Sequence, residues 1–158
     1  MPPDIYVTTH IHTDGPIPGP HSLLTLTSAA HLRDGGPILE FTTNVRELPG
    51  ATLHPVALQL WRRRAEDWLS TRRASRPPAI AMTDYARWIE ALPGRPVFVA
   101  DTADPDYVFL YWYLQRFTGL WPFAGTLTDA GLHARIDCST LCPLVGCRTP
   151  EASLARTS

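Results

Sequence analysis

The sequence has no lysine, only three cysteines and no long apolar run. All 14 basic residues are arginine, and 15 acidic residues bring the formal net charge to −1. The chain as a whole therefore has no positive field that would attract nucleic acid. No apolar segment approaches the roughly 20 residues that span a bilayer. The first residues lack the basic and apolar regions of a signal peptide, so the sequence predicts a cytoplasmic protein with no membrane partner.

The cysteines, Cys138, Cys142 and Cys147, are odd in number and lie close together. This pattern argues against a framework of disulfide bonds. Their spacing differs from the paired cysteines of common zinc sites. Although His133 is nearby, the pattern favours small apolar side chains that pack a helix over a metal site.

What the sequence does contain fits a single globular domain. Its 158 residues are 44% hydrophobic and 18% charged, which is enough apolar material to bury a core. We therefore predict one domain over residues 1–158, with 148–158 as a loose tail.

The first third of the chain has the alternation and the turn residues of an antiparallel sheet. Strands are predicted at 4–13, 22–32 and 37–45, because β-branched residues alternate there between turn-rich segments. The segment 14–21 is rich in proline and glycine and is predicted to be a loop. Asp34-Gly35-Gly36 is typical of a hairpin turn.

The remainder changes to helical spacing interrupted by short apolar runs. A basic, amphipathic helix is predicted over 54–73, and a second helix over 82–92 begins at Thr83 or Asp84 as the N-cap. Val97–Ala100 is typical of a buried central strand. We predict the remaining elements as a helix from Asp104 to about Thr118, a fifth strand at 132–136 and a short helix at 138–145.

Two segments resemble motifs of the DnaQ-like 3′–5′ exonucleases. Residues 5–16, IYVTTHIHTDGP, resemble the first motif of that family. Residues 96–100, followed by Asp106-Tyr107 at the start of a helix, resemble the second, and 136–141 resemble the segment after it. The resemblance covers most of residues 4–145. It implies an α/β, RNase H-like fold, in which helices flank a mixed five-stranded sheet.

The same resemblance implies hydrolysis of DNA or RNA from the 3′ end by four carboxylates and two divalent metals. The sequence departs from that pattern at the ligands. His10 and His12 stand where the family has its Asp-x-Glu pair, and Asp106 matches the acid of the second motif. The third motif has no counterpart, so an ordinary two-Mg²⁺ site is not expected.

Alternate residues of a strand share a face, so Thr8, His10 and His12 are predicted on one face and Ile5, Val7 and Ile11 on the other. Two imidazoles at this spacing suit Zn²⁺, Fe²⁺, Mn²⁺ or Ni²⁺ better than Mg²⁺. Asp106 is predicted to complete the site, with Asp14, Asp101 or Asp137 adding an oxygen. The alternative is a site that has lost its metal, with Asp106 offsetting a helix dipole.

Three functions remain open at this point. The first is a metal-dependent hydrolase that uses His10, His12 and Asp106 on a phosphoester or another small, nucleotide-like molecule. The second is a non-catalytic relative that binds nucleic acid or a protein, and the third is a true 3′–5′ exonuclease. Arginines between 62 and 76 and aromatic residues between 111 and 117 could contact phosphates and bases. A solvated helix face and a packed core are the simpler interpretations.

Overall fold

The structure, a computed structural model, describes residues 2–33, 35–100 and 106–128. These residues form strands β1 (Asp4–Thr13), β2 (Leu23–His31), β3 (Pro37–Asn44), β4 (Arg95–Ala100) and β5 (Gly125–Thr128), with helices α1 (Pro55–Arg63), α2 (Ala65–Arg72), α3 (Pro78–Glu90) and α4 (Asp106–Thr118). No helix within these ranges is long and apolar enough to cross a membrane.

The five strands form one mixed sheet in the order β3-β2-β1-β4-β5. β1 pairs with β2, and β2 with β3, in antiparallel register. β4 pairs with β1 and β5 pairs with β4, both in parallel register. The predicted three-strand meander and the predicted α/β, RNase H-like sheet with flanking helices are confirmed.

The core lies on the sheet face that carries Ile5, Val7 and Ile11, as the alternation of β1 predicts. Helices α3 and α4 pack against each other and cover this face with large apolar side chains. Two buried tyrosines also hydrogen-bond to the sheet. The Tyr85 hydroxyl lies 2.8 Å from Ser28 Oγ, and the Tyr113 hydroxyl accepts a hydrogen bond from the Leu23 N–H at 2.7 Å. Burial raises the pKa of Tyr85 to about 12, so it stays neutral.

The prediction of a single helix over 54–73 is wrong in one respect, because the segment forms two helices, α1 and α2. The break falls at Arg64, which leaves the helical conformation at φ −128° and ψ 52°. The Arg64 N–H bonds to Trp61 O, three residues back, which closes α1 with a tight turn. The sequence has no glycine or proline at this point to mark the break.

The helix predicted over 82–92 begins four residues earlier, at Pro78. Proline fits the first position of a helix because it has no N–H that would need a partner there. Thr83 and Asp84 therefore lie inside α3, and the prediction of either as the N-cap is wrong. The Thr83 hydroxyl instead donates to Ala79 O within the helix.

The sheet gains a strand that the sequence analysis did not predict, β5 at Gly125–Thr128. In the loop before it, Phe123 is buried in the core beside Phe98. The predicted strand at 132–136, the predicted helix at 138–145 and the three cysteines lie outside the described residues. So do Asp34, Asp101, Asp104 and Asp137.

Candidate functional site

The two histidines of the first motif lie together at the carboxyl-terminal half of β1. His10 pairs with Thr27 and His12 with Thr25 across the sheet, so both side chains are on the face opposite the core. Their ring centroids are 4.9 Å apart and the rings meet edge to face at 88°. His10 is exposed and His12 is half-buried. The sequence therefore correctly predicted that these imidazoles share a face.

Trp61 of α1 closes one side of His12. The two rings lie 5.6 Å apart, and the indole N–H donates to Thr13 O at 3.2 Å. The indole also packs against Trp68 of α2, at 5.3 Å between centroids. Trp61 is the buried residue of α1, so this one side chain anchors the helix to the end of β1. The sequence predicted a helix over this segment, but no sequence pattern connected Trp61 with the histidines.

The loop after β1 is held by a buried carboxylate and a close ring contact. Asp14 is buried, and its carboxylate accepts a hydrogen bond from the Ser22 N–H. Burial raises the pKa of Asp14. A Cβ added to Gly15 would lie 2.2 Å from the His21 ring, so only glycine allows this ring to pack where it does. The Asp14-Gly15 pair thus has a structural role in positioning His21.

A second histidine pair follows from this loop. His21 and His54 meet edge to face at 5.4 Å between ring centroids. The His54 N–H donates to Asp14 O at 2.8 Å, which ties the start of α1 to the loop. His54 Nδ1 accepts from the Val56 N–H at 3.2 Å and so caps α1. In the neutral ring, the proton is then on Nε2. Nothing in the sequence predicted this pair, because its members are 33 residues apart.

Between β1, this loop and α1 lies a cavity of about 400 Å³, which we call the β1–α1 pocket. Its polar side chains include His12, His54 and Arg64, and its apolar walls include Val56, Leu60 and Trp61. Its size is within the usual range for a small-molecule site. His12 of the first motif therefore opens onto a pocket formed largely by a helix that the motif does not include, and His10 lies beside His12 outside the lining.

The electrostatics of the pocket favour a neutral His12. Burial lowers the pKa of His12, and the positive charges of His10 and Arg64 lower it further, against a smaller opposite effect of Asp67. A neutral imidazole carries the lone pair that accepts a proton or binds a metal. Near neutral pH, His12 is thus in the form that either chemistry requires.

Of the predicted acidic ligands, Asp14 and Asp106 are described by the structure, and neither forms a three-ligand group with this pair. Asp106 begins α4 and its side chain is buried, while Asp137 and Asp101 lie outside the described residues. Among residues 2–33, 35–100 and 106–128, no three histidine, cysteine or acidic side chains form a group able to hold a metal ion. Two imidazoles do not fit the carboxylate-bound Mg²⁺ pair of the exonuclease mechanism, since Mg²⁺ prefers oxygen ligands. They do fit one transition-metal ion.

The fold belongs to the RNase H-like class of mixed α/β sheets. Among solved structures it is similar to the Mg²⁺- and Mn²⁺-bound form of Pop2p from S. pombe, with a TM-score of 0.54 and 10% sequence identity. The similarity covers 70% of this chain and 54% of that one, so the chain matches only about half of that structure. At this identity the likeness shows the fold alone. No family model matches the sequence, and no curated protein matches it.

Proposed function

We propose that this protein is a diverged relative of the DnaQ-like exonucleases, converted to a metal-dependent hydrolase of phosphoesters with a histidine site. His10 and His12 would hold one Zn²⁺, Mn²⁺, Fe²⁺ or Ni²⁺ ion, and Asp106 and Asp137 are the candidate oxygen ligands. The observation that carries the proposal is the edge-to-face imidazole pair, 4.9 Å between centroids, beside a pocket of about 400 Å³.

The residue types support this choice over simple loss of the exonuclease site. Both acidic positions of the first motif carry a side chain that is itself a strong ligand. A bound transition metal would lower the pKa of a water molecule and polarise a phosphoryl oxygen. Trp61 covers one side of the His12 ring, and His10, which packs against His12, is exposed to solvent. Pop2p binds Mg²⁺ and Mn²⁺ on the same fold, which makes a divalent ion plausible here.

Elemental analysis of the untagged protein, purified without chelator, tests the metal. We expect about one equivalent of Zn, Fe, Mn or Ni per chain. The double variant His10→Ala/His12→Ala should lose it. His54→Asn is the matched control, since asparagine can cap α1 and β1 is unaltered. A double variant that keeps the metal, or a wild-type protein that takes up none of these ions, would overturn the proposal.

Hydrolysis is tested separately with the metal-loaded protein on a phosphomonoester, a phosphodiester and a 3′-labelled oligonucleotide. We expect turnover of an ester that depends on His10 and His12. Shortening of the oligonucleotide with Mg²⁺, abolished by Asp106→Ala, would instead indicate a true 3′–5′ exonuclease. That outcome has the least support, because the residues of the first motif are not carboxylates.

A non-catalytic relative that binds nucleic acid is the second candidate. The absence of a three-ligand group within the described residues favours it. So do the exposed arginines Arg62 and Arg63 at the end of α1 and Arg73 directly after α2. This candidate predicts oligonucleotide binding whose affinity falls steeply with salt. The variant Arg62→Glu/Arg63→Glu should weaken that binding, whereas binding that does not change with salt points to a protein partner.

A further inference from the structure

The β1–α1 pocket has an apolar side and a basic end, and this arrangement limits the kind of ligand that it can bind. Val56, Ala57, Leu60 and Trp61 of α1 form one continuous apolar wall. Among the described residues that line the pocket, Arg64 at the end of α1 is the sole formal cation, and none is acidic. A ligand that fills the pocket therefore has an apolar body and one negatively charged end.

Arg64 has donors available for such an anion. Its Nε forms an ion pair with Asp67 Oδ2 at 2.7 Å, and both side chains are more than half exposed to solvent. This bond uses one of the five N–H donors of the guanidinium. The pair is weak, as exposed pairs are, so a doubly charged phosphate competes with Asp67 for the same side chain.

His54 supplies a second donor toward the same cavity. Its Nδ1 accepts from the Val56 N–H, which leaves Nε2 as the protonated nitrogen of the neutral ring. The ring is half-buried and lines the pocket. The pocket thus has an N–H donor near each end of α1, with His54 at the start of the helix and Arg64 at its end.

The dimensions argue for a compact ligand. A volume of about 400 Å³ is at the lower end of the range for small-molecule sites. A polynucleotide would need a groove that tracks a charged backbone over several nucleotides, and one arginine beside an apolar wall does not provide it. The lining residues favour a single small molecule over a chain.

We propose that the β1–α1 pocket binds a small phosphate monoester of an aromatic or aliphatic alcohol, with the organic group against Val56, Leu60 and Trp61 and the phosphate at Arg64. The choice of phosphate as the anion rests on the proposed hydrolase function. Binding itself requires only side chains of the pocket.

Calorimetric titration of the purified protein, with and without chelator treatment, tests this inference. The probes are phenyl phosphate, inorganic phosphate and phenol. We expect phenyl phosphate to bind at least about tenfold more tightly than either fragment, because the ring is removed from water against the apolar wall. Equal affinity for phenyl phosphate and inorganic phosphate would overturn the inference, as would a thymidine oligonucleotide that binds more tightly than phenyl phosphate.

Two pairs of variants locate the site. Leu60→Glu, at a residue that is 59% exposed and lines the pocket, is matched by Leu69→Glu, which is 58% exposed and does not line it. Arg64→Ala is matched by Arg63→Ala, an exposed arginine outside the lining. We expect about tenfold or greater loss of phenyl phosphate affinity in the first member of each pair and less than about twofold in the second. Equal losses within a pair would place the ligand elsewhere.

The metal measurement separates this inference from the proposed function. A Leu60→Glu variant that keeps its metal but loses phenyl phosphate supports both. A protein that binds metal but not phenyl phosphate contradicts the inference alone. A protein that binds phenyl phosphate in the pocket but takes up no metal contradicts the hydrolase proposal alone.

Discussion

Two regions of the protein differ in how deeply their apolar side chains are buried. The sheet body, which is β1 to β5 with α3 and α4, buries Tyr85, Phe98 and Tyr113 completely or almost completely. The helical wall, which is α1 and α2, has Trp61 and Thr71 as its buried residues and leaves Val56, Leu60 and Leu69 more than half exposed. Stability therefore resides in the body, while the candidate pocket is formed where the body meets the lightly packed wall.

This difference suggests how the fold accommodates a changed site. The body fixes the positions of His10 and His12 through their pairing with Thr27 and Thr25 of β2, while the first half of β1 also pairs with β4. The wall contacts His12 through the ring of Trp61. Substitutions in the wall can alter the ligand that the pocket accepts at little cost in folding free energy. Four predictions test the contrast, in order of decreasing effect.

Truncation in the body should cost far more than truncation in the wall. Phe98→Ala removes a fully buried ring and is expected to lower the free energy of unfolding by about 3–5 kcal/mol. Leu60→Ala, at an exposed position of α1, should change it by less than about 0.5 kcal/mol. Urea denaturation monitored by circular dichroism measures both. Similar losses in the two variants would mean that the wall is part of the cooperative core.

Loss of a buried hydroxyl should have an intermediate effect. Tyr113→Phe removes the acceptor of the Leu23 N–H and leaves a buried donor without a partner, at a cost of about 1–3 kcal/mol. Tyr111→Phe, in the same helix but 43% exposed, is the control and should be nearly neutral. The same denaturation experiment distinguishes them. Equal free energies of unfolding for the two variants would show that the hydrogen bond to β2 makes no measurable contribution to stability.

Removal of the N-cap of α1 should lower the local stability of the helical wall and leave that of the sheet body unchanged. His54→Ala deletes the acceptor for the Val56 N–H and should cost α1 about 1 kcal/mol. Amide hydrogen exchange is expected to become faster in α1 and to stay unchanged in α3. Faster exchange in both helices would show that the two regions open together.

The dependence of stability on pH should be the smallest effect, and we expect it to arise from a histidine in the sheet body. His31 is buried, its Nδ1 has no partner among the described residues, and burial lowers its pKa from the ordinary 6.5. Below about pH 6.5 the unfolded chain binds a proton that the folded chain resists, so stability falls as the pH drops from there toward the lowered pKa.

The variant His31→Leu tests the assignment through the slope of stability against pH. We expect a shallower slope, not a flat one, because the pKa of His12 is also lowered by burial and contributes with the same sign. Thermal unfolding at pH 5.5 and 7.5 measures it. An unchanged slope in the variant would assign the dependence to other groups.

The sequence was sufficient to predict the features that depend on local patterns. Alternation along β1 predicted which face carries His10 and His12, and proline and glycine predicted the loop at 14–21. It was not sufficient for the pocket, because Trp61 and His54 are about 40 to 50 residues from His12 and meet it only through tertiary packing. The sequence also did not predict the helix break at Arg64. No glycine or proline marks it, and the break is visible only in the backbone, where the Arg64 N–H bonds to Trp61 O.

The position of β1 in the sheet has a consequence for synthesis on the ribosome. Its antiparallel neighbour β2 begins ten residues after β1 ends, but its parallel neighbour β4 begins at Arg95, about 50 residues after β3 ends. At about 5–20 residues per second, several seconds separate the two pairings. During that interval one edge of β1 has no hydrogen-bonding partner strand, and the nascent meander is open to edge-to-edge association with other chains.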